Sequence, residues 1–236
     1  METQKHLKVS VVLQFKSLCI QPVITSVENK SVEVRDRIIL FANELFLKYG
    51  IRSVTLEEIA SGLSISKKTI YQYFKDKHEI VEVCTKSILD QEAAAFEQIE
   101  KESLDVMHEL MLISDHIRSF MGKINPSLLY DIRKYFPKAW ALYEHHKDCC
   151  FSQKLAYSLQ RGIEQGYFRE DIDIEILVKM RMELVQLAFD ERIFPPDRFN
   201  FAQVQVQFFE HFVLGICTRK GFELMTQYKE KIKQIA

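Results

Sequence analysis

Residues 63–80 read LSISKKTIYQYFKDKHEI and restrict the local fold more than any other stretch of the chain. Ser64 and Ser66 are turn and N-cap residues, because a side-chain oxygen there accepts from the free N–H groups of a starting helix. From Ser66 the run Lys67, Lys68, Thr69, Tyr71, Gln72, Tyr73 is short and rich in hydrogen-bonding groups. Ile70 and Phe74 share a face at helical spacing and can seat that helix on a core. Asp76 then caps another helix. Upstream, Thr55 is placed as an N-cap, with Glu57 and Glu58 in the first turn, where carboxylates suit the helix dipole. Leu56, Ile59, Ala60 and Leu63 supply a buried face, and the small Ala60 lets two helices cross closely. Two short helices joined by a tight turn form a helix-turn-helix. The second helix, anchored on one side and offering Lys, Thr, Gln and Tyr on the other, fits a DNA major groove.

The rest of the chain supports an all-α class. Seven Gly and five Pro in 236 residues are too few for a turn-rich β fold, and 47% hydrophobic residues are enough for a sizeable core. Phe, Leu, Ile, Glu and Lys recur at helical spacing. The net charge of −1 argues against a broad polyanion-binding surface. Distribution matters more, since Lys67, Lys68, Lys75 and Lys77 face only Asp76 between Ser66 and Lys77. That basic spot is small, and a dimer would double it. Five cysteines, Cys19, Cys84, Cys149, Cys150 and Cys217, show no disulfide framework and point to a reducing cytoplasm. No apolar run approaches the ~20 residues of a membrane span. Gln14 and Lys16 interrupt the apolar N-terminal stretch, which makes a poor signal peptide.

Residues 1–30 have a β-branched, strand-like flavour unlike the rest of the chain, and are read as an extension with no role in the fold. A first helix is expected from Val32 to Tyr49, with Val34, Ile38, Phe41, Ala42, Leu45 and Phe46 inward and Gly50 as C-cap. Arg52, in the loop after it, is either a phosphate contact or a solvated cation. Further helices are expected from Asp76 through Glu92 and as far as Glu102, from Leu104 to Lys123, and from Pro126 to Phe136. A long one runs from Lys138 to Gln165, closed by Gly166. The last three are expected from Ile174 to Phe189, from Phe201 to Cys217, and in a short charged tail.

IRSVTLEEIASGLSISKKTIYQYFKDKHEIV resembles the DNA-binding domain of the tetracycline-repressor (TetR) family. The TLxxIA start, the SxxTIYxYF helix and the FKDKxxI segment after it carry the resemblance, which covers about residues 33–81. Elsewhere it extends only to helical layout and length. Ser64 departs from the pattern, which often has Gly there. The resemblance implies a helix-turn-helix domain over 31–80, with the motif at 55–74, and a helical effector-binding and dimerisation domain over 81–236. It implies double-stranded operator DNA, a homodimer and a small-molecule effector as partners, and no cofactor. Repression is the default sign.

Lys67 and Lys68 can reach guanine edges or phosphates, Thr69 and Gln72 can read bases, and Tyr71 can touch a thymine methyl or a phosphate. By resemblance, Tyr73 and Lys77 clamp phosphates and Thr55 fixes the second helix on the backbone; Ser66 completes the expected contact set. The resemblance also implies an effector cavity, with Phe120, Tyr130, Tyr135, Trp140, Tyr143, Met180 and Phe189 as candidate lining. For the dimer interface, Leu177 and Leu184 of one late helix and Phe208 and Phe212 of the next are the candidates; these stripes alternatively close the subunit's own core. His145 with Cys149, and His146 with Cys150, are i, i+4 pairs, and a metal or thiol sensor using His145 and Cys149 is the alternative function. No metal site is assigned. A DNA-binding regulator without an effector is a second alternative. The chain carries no Gly-rich phosphate loop, GxSxG or HExxH, and no enzymatic role is expected.

Overall fold

The computed structural model describes residues 33–233, and the extension expected over residues 1–30 lies outside them. The regular structure of the described residues is helical, apart from one isolated antiparallel bridge between Phe168 and Cys217. None of the described helices is long and apolar enough to cross a membrane.

The first three helices are α1 (Val34–Tyr49), α2 (Leu56–Gly62) and α3 (Lys67–Tyr73). Gly50 ends α1 at φ 80°, a left-handed conformation that glycine adopts without strain. The next helix, α4 (Lys77–Glu102), starts at the Asp76 cap, whose carboxylate accepts from Glu79 N at 3.0 Å. Ile38, Phe46, Ile59, Ile70, Phe74 and Ile80 form the core of this head. That core does not end with the head. Ile132 of α6 (Ser127–Tyr135), together with Phe136 and Ala139 at the start of α7 (Pro137–His146), packs into it.

The body has a second core, built on α5 (Val106–Met121), α8 (Ser152–Glu164), α9 (Ile174–Leu187), α10 (Phe201–Ile216) and α11 (Arg219–Lys233). Met107, Leu159, Phe168, Phe209 and Phe212 are among its buried members. Glu109 of α5 is fully buried there, held by Arg161 at 2.8 Å and by the Ser158 hydroxyl at 2.6 Å.

The long helix expected from Lys138 to Gln165 is interrupted. Lys147–Phe151 forms a π turn between α7 and α8, with Ser152 N–H donating to Lys147 O. The inward series Ala139, Tyr143, Lys147, Phe151, Leu155 and Leu159 explains it. These residues are spaced four apart, so in a 3.6-residue helix the stripe drifts about 40° per step. One wide turn absorbs part of that drift and keeps both ends facing the core.

Candidate nucleic-acid interface and body cavity

The helix-turn-helix is built by local capping. Thr55 Oγ accepts from Glu58 N at 3.2 Å, while Thr55 N–H donates to Glu58 Oε2 at 2.7 Å, a reciprocal capping box. Ser66 Oγ accepts from Thr69 N at 3.0 Å and starts α3. Between them, Ser64 N–H donates to Ser61 O at 3.1 Å and Ile65 N–H to Ala60 O at 3.0 Å. This is a Schellman turn with Ser64 at the left-handed position, φ 55°. Gly62 beside it leaves room for the Phe41 ring, which a Cβ there would push aside.

Ile70 and Phe74 pin α3 to the core at 0% and 1% exposure, so the opposite face must point outward. Lys68, Tyr71, Gln72 and Tyr73 lie on that face, and Thr69 is half-buried at its edge. Lys67 is exposed but ion-paired with Glu57, which holds the Glu57 carboxyl below its usual range. Lys68 has no ion pair with any described residue. Lys77 departs from the phosphate-clamp expectation. Its ammonium turns inward and donates to Ile51 O at 2.6 Å and to Val54 O, and burial lowers its pKa. It fastens the loop between α1 and α2. Arg52 helps from the other side: its N–H donates to Asp131 at 3.2 Å and its guanidinium stacks over Tyr135 at 4.7 Å.

Where head meets body lies a cavity of about 240 Å³. Phe120, Tyr143 and Phe189 are on its wall, while the candidates Tyr130, Tyr135, Trp140 and Met180 are not. Tyr135 is under Arg52; Trp140 sits between Tyr143 and the Arg133 guanidinium; Tyr130 and Met180 are exposed. Ile88, Phe96, Ile113, Ile117 and Phe151 complete much of the apolar wall. Phe46, Leu47 and Ile51 of the head line the same space. Arg181, which is not among the residues expected from sequence, also lines it and is 4% exposed. The signal was present: Arg181 interrupts the inward apolar series Ile174, Val178, Val185, Ala188 of α9 and its C-cap.

The dimer candidates divide. Phe212 is buried in the subunit's own core, because α10 is apolar around most of its circumference and that side packs on α5. Leu177, Leu184 and Phe208 are half-buried. Ile176 (64% exposed), Met180 and Leu187 of α9, with His211, Leu214 and Gly215 of α10, are among the exposed residues of these helices. Among the described residues no three His, Cys, Asp or Glu side chains group as a metal site would need. The π turn breaks the i, i+4 register of His145 and His146 with the cysteines, and places Cys149 Sγ against Cys150 Sγ at 3.3 Å.

Residues 38–84 match the family model of bacterial regulatory proteins, tetR family. The HTH-type transcriptional repressor KstR2 of Mycobacterium tuberculosis is 23% identical over 190 residues, spanning 79% of this chain and 94% of that protein. A TetR-family regulator from Agrobacterium tumefaciens superposes with a TM-score of 0.65 at 19% identity, over 78% of this chain and 97% of its own. A transcriptional regulator from Saccharomonospora viridis, solved in complex with choline, superposes at 0.61 with 22% identity, over 79% and 99%. The two superpositions give the same all-helical fold, and the family is one of regulators, not enzymes. With the capped helix-turn-helix inside the matched span, the chain belongs to the tetR family of bacterial regulatory proteins and is a DNA-binding transcriptional regulator.

Proposed function

We propose that the protein is a dimeric repressor, released from its operator when a small molecule enters the body cavity. Residues 31–80 read DNA, and residues 81–236 hold the effector and the partner subunit. Lys67, Lys68, Thr69, Tyr71 and Gln72 enter the major groove, Tyr73 clamps a phosphate, and Thr55 and Ser66 set the helices against the phosphates. Lys77 acts one step back, by fixing the loop that carries Thr55.

One observation carries the release step: Phe46, Leu47 and Ile51 of the head share the cavity wall with Phe96, Phe120 and Phe189 of the body. A ligand there touches the head's own packing. It also touches α4, whose first turn is tied to the head and whose Ile88, Glu92 and Phe96 line the cavity. A ligand that prefers one seating of the head shifts the spacing of the two recognition helices and lowers operator affinity. The choline bound by the S. viridis regulator supports a small-molecule role for this architecture.

Dimerisation is supported by the open face of α9 and α10. Ile176 and Met180 edge a groove with His211 and Gly215, and a Cβ at Gly215 would meet nothing within 4 Å. Two such faces related by a two-fold axis make a four-helix interface. Pairing also answers the weakness of one small basic helix, by placing two at half-sites ~34–36 Å apart.

Selection of bound duplexes from a random pool, followed by a metabolite screen for release, tests the reading. Lys68→Ala and Tyr71→Ala are each expected to weaken operator binding by ~1–3 kcal/mol with unchanged thermal stability. Parental binding by both variants would remove the α3 assignment.

A further inference from the structure

Four charged side chains line the cavity: Glu92, Lys147, Lys154 and Arg181. Three have partners. Glu92 Oε2 meets His116 Nε2 at 2.8 Å; Lys147 pairs with Glu144 at 3.0 Å and Glu183 at 3.7 Å; Lys154 pairs with Glu100. Arg181 has no hydrogen bond or ion pair with any described residue, and its Nη1 is buried with no acceptor. Its guanidinium carbon lies over the face of Phe209, 5.4 Å from the ring centre. A buried guanidinium without an anion is costly, and a buried polar group without a partner calls for an explanation.

Gln205 is the second such group on this wall. It is fully buried, and its Nε2 donates to Val185 O at 2.9 Å. A carbonyl accepts only, so this bond fixes the amide's orientation and leaves Oε1 as the free atom; that oxygen has no donor. The cavity thus offers an unanswered cation and an unanswered acceptor within walls that are otherwise almost wholly apolar.

We infer that the ligand of this cavity is an amphipathic monoanion, its carboxylate on Arg181 and its apolar tail among Ile88, Phe96, Ile117 and Phe120. A hydroxyl or N–H beside the carboxylate serves Gln205 Oε1. Arg is suited to this role because its planar fork matches a carboxylate and stays charged when buried. A quaternary ammonium would set like charges together at Arg181 and is disfavoured. This inference rests on the reading of the cavity as the effector site and adds the chemical class of the effector.

The test is calorimetric titration of the full chain with octanoate, decanoate and dodecanoate below their micellar concentrations. The alcohols and trimethylammonium cations of the same chain lengths serve as comparators. At least one carboxylate is expected to bind about tenfold or more tighter than its alcohol, the worth of a charge-assisted hydrogen bond. Arg181→Met should bring that acid and alcohol within about twofold of each other, and Arg181→Lys should retain a preference for the acid. Equal binding of acid and alcohol by the parent protein, a preference for the ammonium, no measurable binding of any carboxylate, or a preference that survives Arg181→Met would each overturn the inference. Duplex binding by the same preparations is followed by fluorescence anisotropy. A protein that binds its selected duplex yet ignores every carboxylate loses the ligand class but keeps the regulator reading. One that binds carboxylates through Arg181 with unchanged duplex affinity keeps the ligand class and loses the release step.

Discussion

Replacing Arg181 by methionine is expected to make the ligand-free protein more stable. Burial pushes the Arg181 guanidinium down to about 10. At ~1.4 kcal/mol per pH unit between folded and ordinary values, keeping the group charged inside the protein costs about 3 kcal/mol. The sign comes from linkage. Below about pH 10 the side chain is protonated both folded and unfolded, and the full penalty is present; above it, the folded protein loses the proton first and the penalty fades. At neutral pH the substitution therefore removes the whole penalty. Against this stands the contact with the Phe209 ring, worth ~0.5–2 kcal/mol when desolvated. Methionine retains most of the side chain's apolar stem and is flexible enough to fill the site. The net gain is about 2 kcal/mol, or a rise of ~4–8 °C in Tm for a chain of this size. Thermal unfolding followed by circular dichroism at pH 7.5 and fixed protein concentration reads this directly, since the Tm of a dimer depends on concentration. A Tm that falls, or does not move, would mean the guanidinium already has an adequate partner in the ligand-free protein, and the case for an anionic ligand would fall with it.

Ser64→Gly should raise stability by up to ~1 kcal/mol, since it removes a left-handed cost of ~1–2 kcal/mol and adds ~0.5–1 of chain entropy. The check is a shifted urea midpoint with an unchanged slope, and a lower midpoint would show that the serine side chain is needed in the turn. Lys77→Met should lower stability by ~1–3 kcal/mol by leaving the Ile51 and Val54 carbonyls without their donor. Full stability with lost operator affinity would return Lys77 to the phosphate backbone. Ile176→Glu combined with Met180→Glu should leave the subunit folded, because both side chains are exposed, and abolish the dimer in sedimentation velocity at micromolar concentration. A dimer that persists would move the interface elsewhere.

The head was readable from sequence because its determinants are local. Thr55, Ser66 and Asp76 each bond a backbone N–H three residues ahead, so a cap can be identified from a few neighbouring letters. The same locality placed Ser64 in the turn. The body's details are set by how each helix is rotated against its neighbours, which periodicity alone leaves open. On α10 apolar residues occupy most of the circumference, so Phe212 and Leu214 look alike in sequence although one is core and the other is exposed. Trp140 and Tyr143 lie three apart on α7, yet only Tyr143 reaches the cavity. The π turn at Lys147–Phe151 shifts register between α7 and α8, and no composition rule signals it. Aromatic content was a poor guide to the cavity wall, whereas a lone arginine within an apolar stripe would have been a better one.

The energies of the proposed release step bear on why the cavity combines an apolar wall with one unanswered cation. Moving a two-state equilibrium from mostly bound-competent to mostly released needs a preference of about 5.5 kcal/mol for one state. A charged hydrogen bond to Arg181 supplies ~1.5–3 kcal/mol at most. Apolar burial contributes ~0.8 kcal/mol per methylene, but only the part that differs between the two states counts. Most of the wall belongs to the body, which in the proposed switch is the same in either seating of the head. The wall that can differ is the portion contributed by Phe46, Leu47 and Ile51, whose backbone is held to the body by the 2.6 Å bond from Asn125 N to Leu47 O and to the start of α4 by Lys77 on Ile51 O. A head group fixed on Arg181 determines where the tail ends, and so whether it presses on that movable portion. In this scheme the arginine acts as a positioning element more than a source of affinity. Two subunits sharing one switch would then each need to supply only about half of the required preference.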